Sequence, residues 1–380
     1  MTAGRTQRLL DLFEKCLDLE RFADPDPFKG PVASVKERLR VATTIRRDTI
    51  EAHEEAWRRA VESIADESVC PAYRGLRIEP QIGLVPLGRD PRSGLWEFAH
   101  IETGTPPERG ADGALAPAEE MGFVFVLLPG GAFKMGARKP AQGERDGDDN
   151  IDAAALDDEM PVHEVTLAPF FLSKYEMTQA QWLRVAGSNP SNVPAGALYG
   201  ETRITPLHPV DSVTWDAARE ILNRLGLELP TEAQWEYAAR GGTATPWWTG
   251  REKETLAGAA NLCDTATRRV LPPELRQPYE AWLDDGYPAT APVGSYRPNP
   301  FGLHDVAGNT WEWCLDRYGS YKAPVARETG ERLVLEAQDR SIRGGSWPST
   351  AAGCRSSQRN HAAPALSAME GLRPARRVAR

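Results

Sequence analysis

Apolar side chains recur at helical spacing in two segments near the N-terminus, residues 6–20 and residues 34–62. We therefore predict two amphipathic helical segments there. Residues 78–98 change to short alternating runs around an Arg-Asp-Pro-Arg-Ser-Gly turn, which predicts a β-hairpin. The Pro- and Gly-rich residues 103–118 predict a linker. The apolar positions of the two helical segments are Leu9, Leu10, Phe13, Cys16, Leu17, Val35, Leu39, Ile45, Ile50 and Trp57.

Strand-like patterns follow the linker. Residues 122–128 form a β-rich apolar run that stops at Pro129-Gly130-Gly131, and residues 133–136 are predicted as its return strand. Residues 142–159 are strongly acidic and contain few apolar side chains, so we predict a mobile loop there. Residues 162–171 alternate between apolar and polar side chains, as a half-buried strand does.

Three short helices are marked by their ends. Capping boxes begin at Thr178, with Gln181 as its partner, and at Thr231, with Gln234 as its partner. A third helix is predicted from Asp216 to about residue 225, where a glycine stops it. Short helices among hairpins and turns favour an α+β fold over alternating βαβ units.

Composition excludes several classes of protein. The chain has 380 residues, 41% of them apolar, and a formal net charge of −9. That length and apolar content suffice for one large domain or two ordinary ones. The negative charge argues against nucleic acid as a partner, because neutralising phosphates needs clustered Lys and Arg. The sequence has no secretory signal and no apolar run of bilayer length, so no membrane partner is expected and a cytoplasmic location is the default.

Standard catalytic motifs are absent from the sequence. Its five cysteines are widely spaced without a C-x-x-C pair, which favours reduced, packed thiols over a disulfide framework or a zinc knuckle. Its six histidines show no helical zinc-binding spacing. There is also no G-x-S-x-G serine and no Gly-rich phosphate loop.

The C-terminal stretch is the most informative part of the chain. Between Trp347 and Gly371 there is no aliphatic run and no helical or strand period, and small and polar residues predominate. Such a stretch cannot build a core, so we predict that it lies exposed on a scaffold formed elsewhere. Its composition alone would also fit an ordinary surface loop. The motifs on either side, residues 343–347 and 371–374, favour a display surface instead.

Five motifs in the same order resemble the formylglycine-generating enzyme and sulfatase-modifying factor family. The resemblance covers about residues 120–378 and implies a C-type-lectin-like α+β fold. Residues 119–380 would form that domain, and residues 1–118 would be an N-terminal helical and hairpin extension. The motifs are the segments 125–136, 176–182, 229–242, 308–313 and 343–347.

The resemblance also implies which residues an enzyme of this family would need. Catalytic members are copper-dependent oxidases that convert a substrate cysteine to formylglycine with two cysteines that follow the Gly-Gly-Ser-aromatic motif. An ungapped count places Ser349 and Cys354 at those positions, and a second register makes Cys354 a separate structural cysteine. Either way at least one thiolate is missing, and a hydroxyl is a poor Cu(I) ligand. A related iron-dependent branch uses three histidines, whereas the N-terminal helical segments offer only His53. We therefore expect no enzymatic activity.

Residues 341–373 resemble the variable region of proteins diversified by retroelements. That resemblance implies a non-enzymatic protein, phage- or prophage-encoded, that displays a hypervariable surface to a protein or other macromolecular ligand. Trp347, Gln358, Met369 and Glu370 would be fixed scaffold. The alternative is a formylglycine-generating oxidase, or an accessory module of a signalling protein. The predicted ligand-binding positions are Pro348, Ser349, Thr350, Ala351, Gly353, Ser356, Ser357, Asn360, His361, Ala363, Ala365 and Ser367.

No cofactor is required by this interpretation, but the family resemblance implies structural calcium. Calcium prefers carboxylate and carbonyl oxygens. Motif matching places Asn261 and Asp285 in one site, completed by the carbonyls of residues 262 and 287. It places Asp305 and Glu312 in another, completed by the carbonyls of residues 308 and 310. Alternatively, Asp305 and Glu312 accept backbone hydrogen bonds in turns.

Overall fold

The computed structural model describes residues 31–144, 149–275, 277–334 and 336–379. The predicted helix at 6–20 lies outside these residues. The predicted helical structure over 34–62 is confirmed as two helices, α1 and α2, separated by a short 3-10 turn. The helices are α1 (Pro31–Thr49), α2 (Glu54–Ala65), α3 (Gln179–Ala186), α4 (Trp215–Arg224), α5 (Glu232–Arg240) and α6 (Thr265–Val270).

Within the described residues, the strands form four sheets. The largest has five antiparallel strands in the order β1-β2-β3-β6-β13, and the next has four in the order β11-β10-β9-β12. Two further pairs are β4-β5 and β7-β8. The strands are β1 (Leu84–Arg89), β2 (Trp96–His100), β3 (Val124–Leu128), β4 (Gly131–Met135), β5 (His163–Leu167), β6 (Phe170–Ser173), β7 (Leu198–Tyr199), β8 (Thr202–Arg203), β9 (Trp311–Arg317), β10 (Arg340–Arg343), β11 (Asn360–Ala362), β12 (Glu370–Gly371) and β13 (Ala375–Arg377).

The predicted N-terminal hairpin is confirmed as β1-β2, and it belongs to the main sheet. Strand β2 pairs with β3, so backbone hydrogen bonds cross the predicted boundary at residue 118. Helix α2 packs on this hairpin, with the ring of Trp57 stacked 5.4 Å from that of Phe98. The Tyr73 hydroxyl donates to the Leu127 carbonyl at 2.9 Å and accepts from the Trp96 amide at 2.8 Å. The extension thus shares its core with the following domain.

The predicted return strand has a different partner. Strand β4 pairs with β5 rather than with β3. Gly130 and Gly131 adopt φ values of +67° and +108°, which turn the chain out of the five-stranded sheet. A side chain at Gly130 would meet the Leu167 carbonyl oxygen at 2.5 Å, so this turn requires glycine. The predicted strand over 162–171 divides into β5 and β6.

The predicted helix starts are confirmed. Thr178 and Thr231 each accept a hydrogen bond from the amide of the glutamine three residues later, and each glutamine side chain bonds back. Both helices end at a glycine in the left-handed conformation, Gly187 and Gly241.

The acidic segment differs from the predicted mobile loop. Residues 145–148 lie outside the described residues, but Asp152 and Glu159 are buried. Both carboxylates contact the Arg355 guanidinium, at 2.6 Å each. The second half of the segment is therefore anchored to the C-terminal region by charge pairs, which its low apolar content did not indicate.

Two smaller predictions concern the thiols and the membrane. The four cysteines within the described residues are unpaired and buried, as expected for packed thiols. No helix within the described ranges is both long and apolar enough to cross a bilayer.

Candidate functional site

Four buried arginines hold the backbone of the C-terminal region. Each pairs with a buried carboxylate of another element. Ala351 and Cys354 also pack into a small apolar cluster. Charged pairs of this kind have well-defined geometry because the guanidinium binds its partners through a rigid set of donors. The pairs are Arg343 with Glu236 at 2.6 Å, Arg355 with Glu159 at 2.6 Å, Arg359 with Glu232 at 2.6 Å, and Arg373 with Glu312 at 2.7 Å.

The surroundings of these arginine–carboxylate pairs favour the ionised form of the carboxylates. Burial alone raises the pKa of the Glu232 carboxyl, but Arg359 and Arg343 outweigh that effect, so the pKa is lowered. At Glu236, Arg240 and Arg343 likewise outweigh burial and lower the pKa.

The four buried ion pairs divide the predicted binding positions between a half-buried loop and a largely exposed one. Ala351, Ser356 and Ser357 are buried, so the prediction that they present side chains to a ligand is wrong. The Arg343 guanidinium binds the carbonyl oxygens of residues 356 and 357 at 2.8 and 2.9 Å and thereby draws this run inward. The other nine positions are exposed or half-buried. They are Pro348, Ser349, Thr350 and Gly353, which we call the first loop (348–353), and Asn360, His361, Ala363, Ala365 and Ser367, which we call the second loop (360–367).

A hydroxyl of the first loop and the thiol that follows this loop face the same backbone amide. The Ser346 amide donates to Ser349 Oγ at 3.1 Å. The Ser346 amide also faces the Cys354 sulfur and, together with the Gly308 amide, acts to lower the pKa of the thiol. Burial raises the pKa of the Cys354 thiol to about 12, so it stays protonated at neutral pH. Ser349 and Cys354 thus lie side by side, with oxygen rather than sulfur at the first position.

The neighbours of the first loop come from distant parts of the chain. The Cys263 amide donates to the Ser349 carbonyl at 2.9 Å, and the Gln277 side chain donates to the Pro348 carbonyl at 2.7 Å. The Tyr199 ring of the β7-β8 hairpin lies 5.6 Å from that of Trp347. No local pattern in the sequence connects these neighbours to the loop, so they could not be predicted from it.

The second loop begins beside an ordered stack of side chains. His361 pairs with Asp339 at 2.7 Å and stacks on Tyr318 at 4.3 Å. The Arg359 guanidinium lies 4.6 Å from the centre of the Tyr318 ring. At the other end of the loop, buried Glu370 accepts hydrogen bonds from the amides of residues 368 and 369. Fixed residues therefore bound the exposed stretch on both sides.

Comparison with known proteins assigns the family. Residues 113–378 match the sulfatase-modifying factor enzyme 1-like domain. The chain belongs to this family. Its α+β architecture is accordingly the C-type-lectin-like fold of the formylglycine-generating enzymes, as the motifs predicted.

Two curated relatives match over most of the same region. The formylglycine-generating enzyme of Streptomyces coelicolor is 32% identical over 272 residues, which cover 58% of this chain and 78% of that protein. The serine/threonine-protein kinase pkn1 of Chlamydia pneumoniae is 32% identical over 274 residues. That match covers 67% of this chain, which spans only 38% of the length of the chlamydial protein.

Two solved structures align with this chain. PvdO from Pseudomonas aeruginosa aligns with a TM-score of 0.53 and 28% identity, covering 67% of this chain and 95% of that one. Treponema denticola variable protein 1 aligns with a TM-score of 0.48 and 23% identity, covering 67% of this chain and 96% of that one.

The first predicted calcium site of the family fits the side chains present. The buried Asn261 Oδ1 has no hydrogen-bond partner among the described residues. Burial, followed by repulsion from Asp264, raises the pKa of Asp285 to about 7. A cation would satisfy the amide oxygen and neutralise the crowded carboxylates. Asn261 and Asp285 would hold it, and it would supply stabilisation rather than chemistry.

The second predicted calcium site does not fit the structure with both of its predicted carboxylate ligands. Both oxygens of Glu312 accept hydrogen bonds from Arg373, and one also accepts from the Trp235 indole at 2.7 Å. Glu312 is therefore engaged by an ion pair, and its assignment as a calcium ligand is corrected. Asp305 keeps one buried carboxylate oxygen without a partner among the described residues. Within those residues, no group of three or more His, Cys, Asp or Glu side chains is placed to hold a metal.

Proposed function

We propose that the chain is a non-enzymatic binding protein that presents ligand-contacting side chains from its first and second loops. The observation that carries this proposal is Ser349, whose hydroxyl accepts a hydrogen bond from the Ser346 amide, which also faces Cys354. In the ungapped register, Ser349 stands where the oxidase requires a thiolate. The ligand would be a protein or another macromolecule.

The chemistry of the first loop supports a role without copper. Cu(I) prefers soft thiolate ligands, and a serine hydroxyl is a hard, neutral donor. The pKa of Cys354 is raised by burial, so this thiol is also a poor source of thiolate. One protonated thiol beside a hydroxyl cannot reproduce the copper site of the family.

The construction of the two loops supports display. Nine of the predicted positions are at least partly exposed, and the backbone between and beside them is fixed by buried ion pairs. Surface side chains away from special features change the free energy of unfolding by about 0.5 kcal/mol or less when they are replaced. A surface of this construction can therefore vary its side chains while the fold stays constant.

A gain-of-function variant tests whether the lack of a second thiol prevents Cu(I) binding. We expect the wild-type protein to bind no Cu(I) and to leave a cysteine-containing peptide unoxidised. Ser349→Cys would place a second sulfur beside Cys354, and we expect that variant to gain Cu(I) binding. Ser367→Cys, with its thiol in the second loop, is the matched control and should gain no comparable affinity. Binding can be measured by competition with a Cu(I) chelator.

The same experiment can overturn the proposal. Cys263 lies next to Ser349 in the fold and is the candidate for a substitute sulfur. If the wild-type protein binds Cu(I) and oxidises the peptide, and if Cys263→Ser or Cys354→Ser abolishes both, the oxidase alternative is correct.

Diversification by a retroelement is tested with the gene itself. Several isolates should differ mainly at codons for the nine exposed or half-buried positions, with a reverse transcriptase gene and a template repeat nearby. Substitutions in that repeat should fall at adenines. A constant gene without these neighbours would contradict diversification.

A second candidate function is an accessory module of a signalling protein. It is favoured by the match to a segment of the chlamydial protein named as a kinase. Immunoblotting of the native protein would test it, because a mass well above the 41.8 kDa of this chain indicates a larger polypeptide.

A further inference from the structure

Three glycines from two family motifs, Gly130, Gly131 and Gly242, line a single cleft away from both loops. Gly130 and Gly131 lie at the start of β4, and Gly242 lies just after α5. The cleft between them has a volume of about 330 Å³, within the range of small-molecule sites. A Cβ atom added at Gly131 or Gly242 would meet nothing within 4 Å, so the backbone there borders open space.

Aromatic rings form the wall of the cleft. Tyr237 lies between Phe133, at 5.4 Å, and Phe301, at 5.3 Å, measured between ring centres. The Tyr237 hydroxyl donates to the Gly130 carbonyl at 2.7 Å, which fixes the ring. Clustered rings of this kind offer edges and faces to a planar ligand.

The rim of the cleft is cationic. The Arg74 side chain makes no hydrogen bond or ion pair with any residue that the structure describes. Among the described residues, Lys134 pairs with Asp149 at 3.5 Å, and both of these side chains are largely exposed. Arg74 and Tyr237 both line the cleft, and the positive charge of Arg74 opposes the burial that raises the pKa of Tyr237 to about 12. No acidic residue of the described part of the chain lines the cleft.

The backbone at the rim adopts an uncommon conformation. Arg74 and Asn150 both have positive φ values, 49° and 62°. The Asn150 side chain donates to the carbonyls of Lys134 and Gly136, at 2.8 and 2.6 Å, and so fixes the loop beside the cleft. Non-glycine residues in this region cost conformational energy and cluster at ligand sites.

We propose that this cleft binds a small planar aromatic molecule that carries one anionic group, a carboxylate or a phosphate. The ring would pack on Phe133, Tyr237 and Phe301. The anionic group would be held by Arg74 and Lys134. The site is independent of the proposed display function, because none of its lining residues belongs to the first or second loop.

The proposal is tested by calorimetry on the full chain. Phenyl phosphate is the probe. Inorganic phosphate, which keeps the anionic group, and benzyl alcohol, which keeps the aromatic ring, are the controls. We expect phenyl phosphate to bind at least about tenfold more tightly than either control, since ring and charge act together. Benzoate is the second probe, and the tighter of the two identifies the anionic group.

Charge variants locate the site. Arg74→Gln and Lys134→Gln should each weaken phenyl phosphate binding about tenfold, because each removes a charge-assisted contact. Arg92→Gln, an exposed arginine outside the cleft, should leave it unchanged. The proposal is wrong if neither aromatic anion binds more tightly than its controls. It is also wrong if Arg74→Gln and Lys134→Gln both bind phenyl phosphate like the wild-type protein.

Discussion

Single buried arginines determine where the loops of this protein lie. Arg355 is 2% exposed, contacts Asp152 and Glu159, and donates to the Ala352 carbonyl at 3.0 Å. It joins the acidic segment to the region that separates the two loops. Removing a partner from such a site leaves charges buried without compensation.

We therefore expect Arg355→Gln to lower the free energy of unfolding by about 3–5 kcal/mol, the usual cost of breaking a buried pair. The control is Arg269→Gln, because Arg269 pairs with Asp284 at 2.8 Å on the surface. Exposed pairs contribute about 1 kcal/mol or less. Urea denaturation of both variants measures the difference, and equal losses would contradict the assigned role of Arg355.

Asp305 makes stability depend on pH. Burial and nearby Glu312 raise its pKa to about 7, against the opposing effects of the Gly294 amide and Arg373. A carboxyl whose pKa is higher in the folded state stabilises the fold at low pH. That contribution is lost as the pH rises from about 4 through about 7.

Asp305→Asn should remove this loss of stability, because the asparagine amide resembles the protonated acid. Asparagine also tolerates the φ of 59° at this position. Relative to wild type, the variant should gain stability between pH 5 and 8, by no more than about 1.4 kcal/mol per pH unit. Urea unfolding in chelator at several pH values checks this. Asp284→Asn is the control, because a hydrogen bond from Arg269 lowers the pKa of Asp284. A constant difference between Asp305→Asn and wild type would contradict the prediction.

At the scale of elements, local signals could be predicted from the sequence and distant partners could not. The capping boxes at Thr178 and Thr231 depend on residues three positions apart, so the pattern contains all the necessary information. The pairing of β4 with β5 depends instead on how Gly130 redirects the chain. Likewise, Arg355 pairs with Glu159, which is far away along the chain, so no local pattern could predict this contact.

The candidate site shows the same division. The absence of a thiol at Ser349 follows from counting along a motif, whereas the contact with the Ser346 amide and the proximity of Cys263 required the fold. The small polar composition of residues 348–367 predicted exposure for all twelve positions. Composition could not show that Arg343 binds the carbonyls near Ser357 and buries that run.

Tyr73 connects the N-terminal extension to the main sheet. Its hydroxyl bridges the Leu127 carbonyl and the Trp96 amide. Tyr73→Phe would leave both groups buried without this partner, so we expect a loss of about 1–3 kcal/mol in the free energy of unfolding. The control is Tyr279→Phe, because the Tyr279 hydroxyl makes no hydrogen bond within the described residues. Thermal and urea unfolding would test this, and a two-step transition would mean that the extension unfolds separately.

At the scale of the whole molecule, one sheet unites the two predicted regions. Strands on both sides of residue 118 lie side by side in the order β1-β2-β3-β6-β13, and the family match begins only at residue 113. The sequence suggested a linker over 103–118 because it is rich in Pro and Gly. Within that linker, however, Arg109 pairs with buried Glu97 at 2.8 Å, so it is packed against the hairpin.

The net charge of −9 and the crowded carboxylates lead to a prediction for calcium. Asp285 lies beside Asp264, whose carboxylate accepts a hydrogen bond from the Asp285 amide. At pH 8 Asp285, with a pKa of about 7, is expected to be largely ionised, and a bound cation would offset its repulsion from Asp264 while satisfying Asn261. Calcium should therefore raise the melting temperature, in line with a gain of about 2.7 kcal/mol at a hundred times Kd.

The adjacent aspartates allow this prediction to be tested against a matched control. Asp285→Asn should abolish the calcium-dependent rise in melting temperature, because it removes the buried carboxylate. Asp284→Asn should retain the rise, since Asp284 is exposed and pairs with Arg269. Differential scanning calorimetry in calcium and in chelator distinguishes the variants. A wild-type transition that is identical in both buffers would mean that the orphaned Asn261 oxygen and the raised pKa of Asp285 do not reflect a cation site.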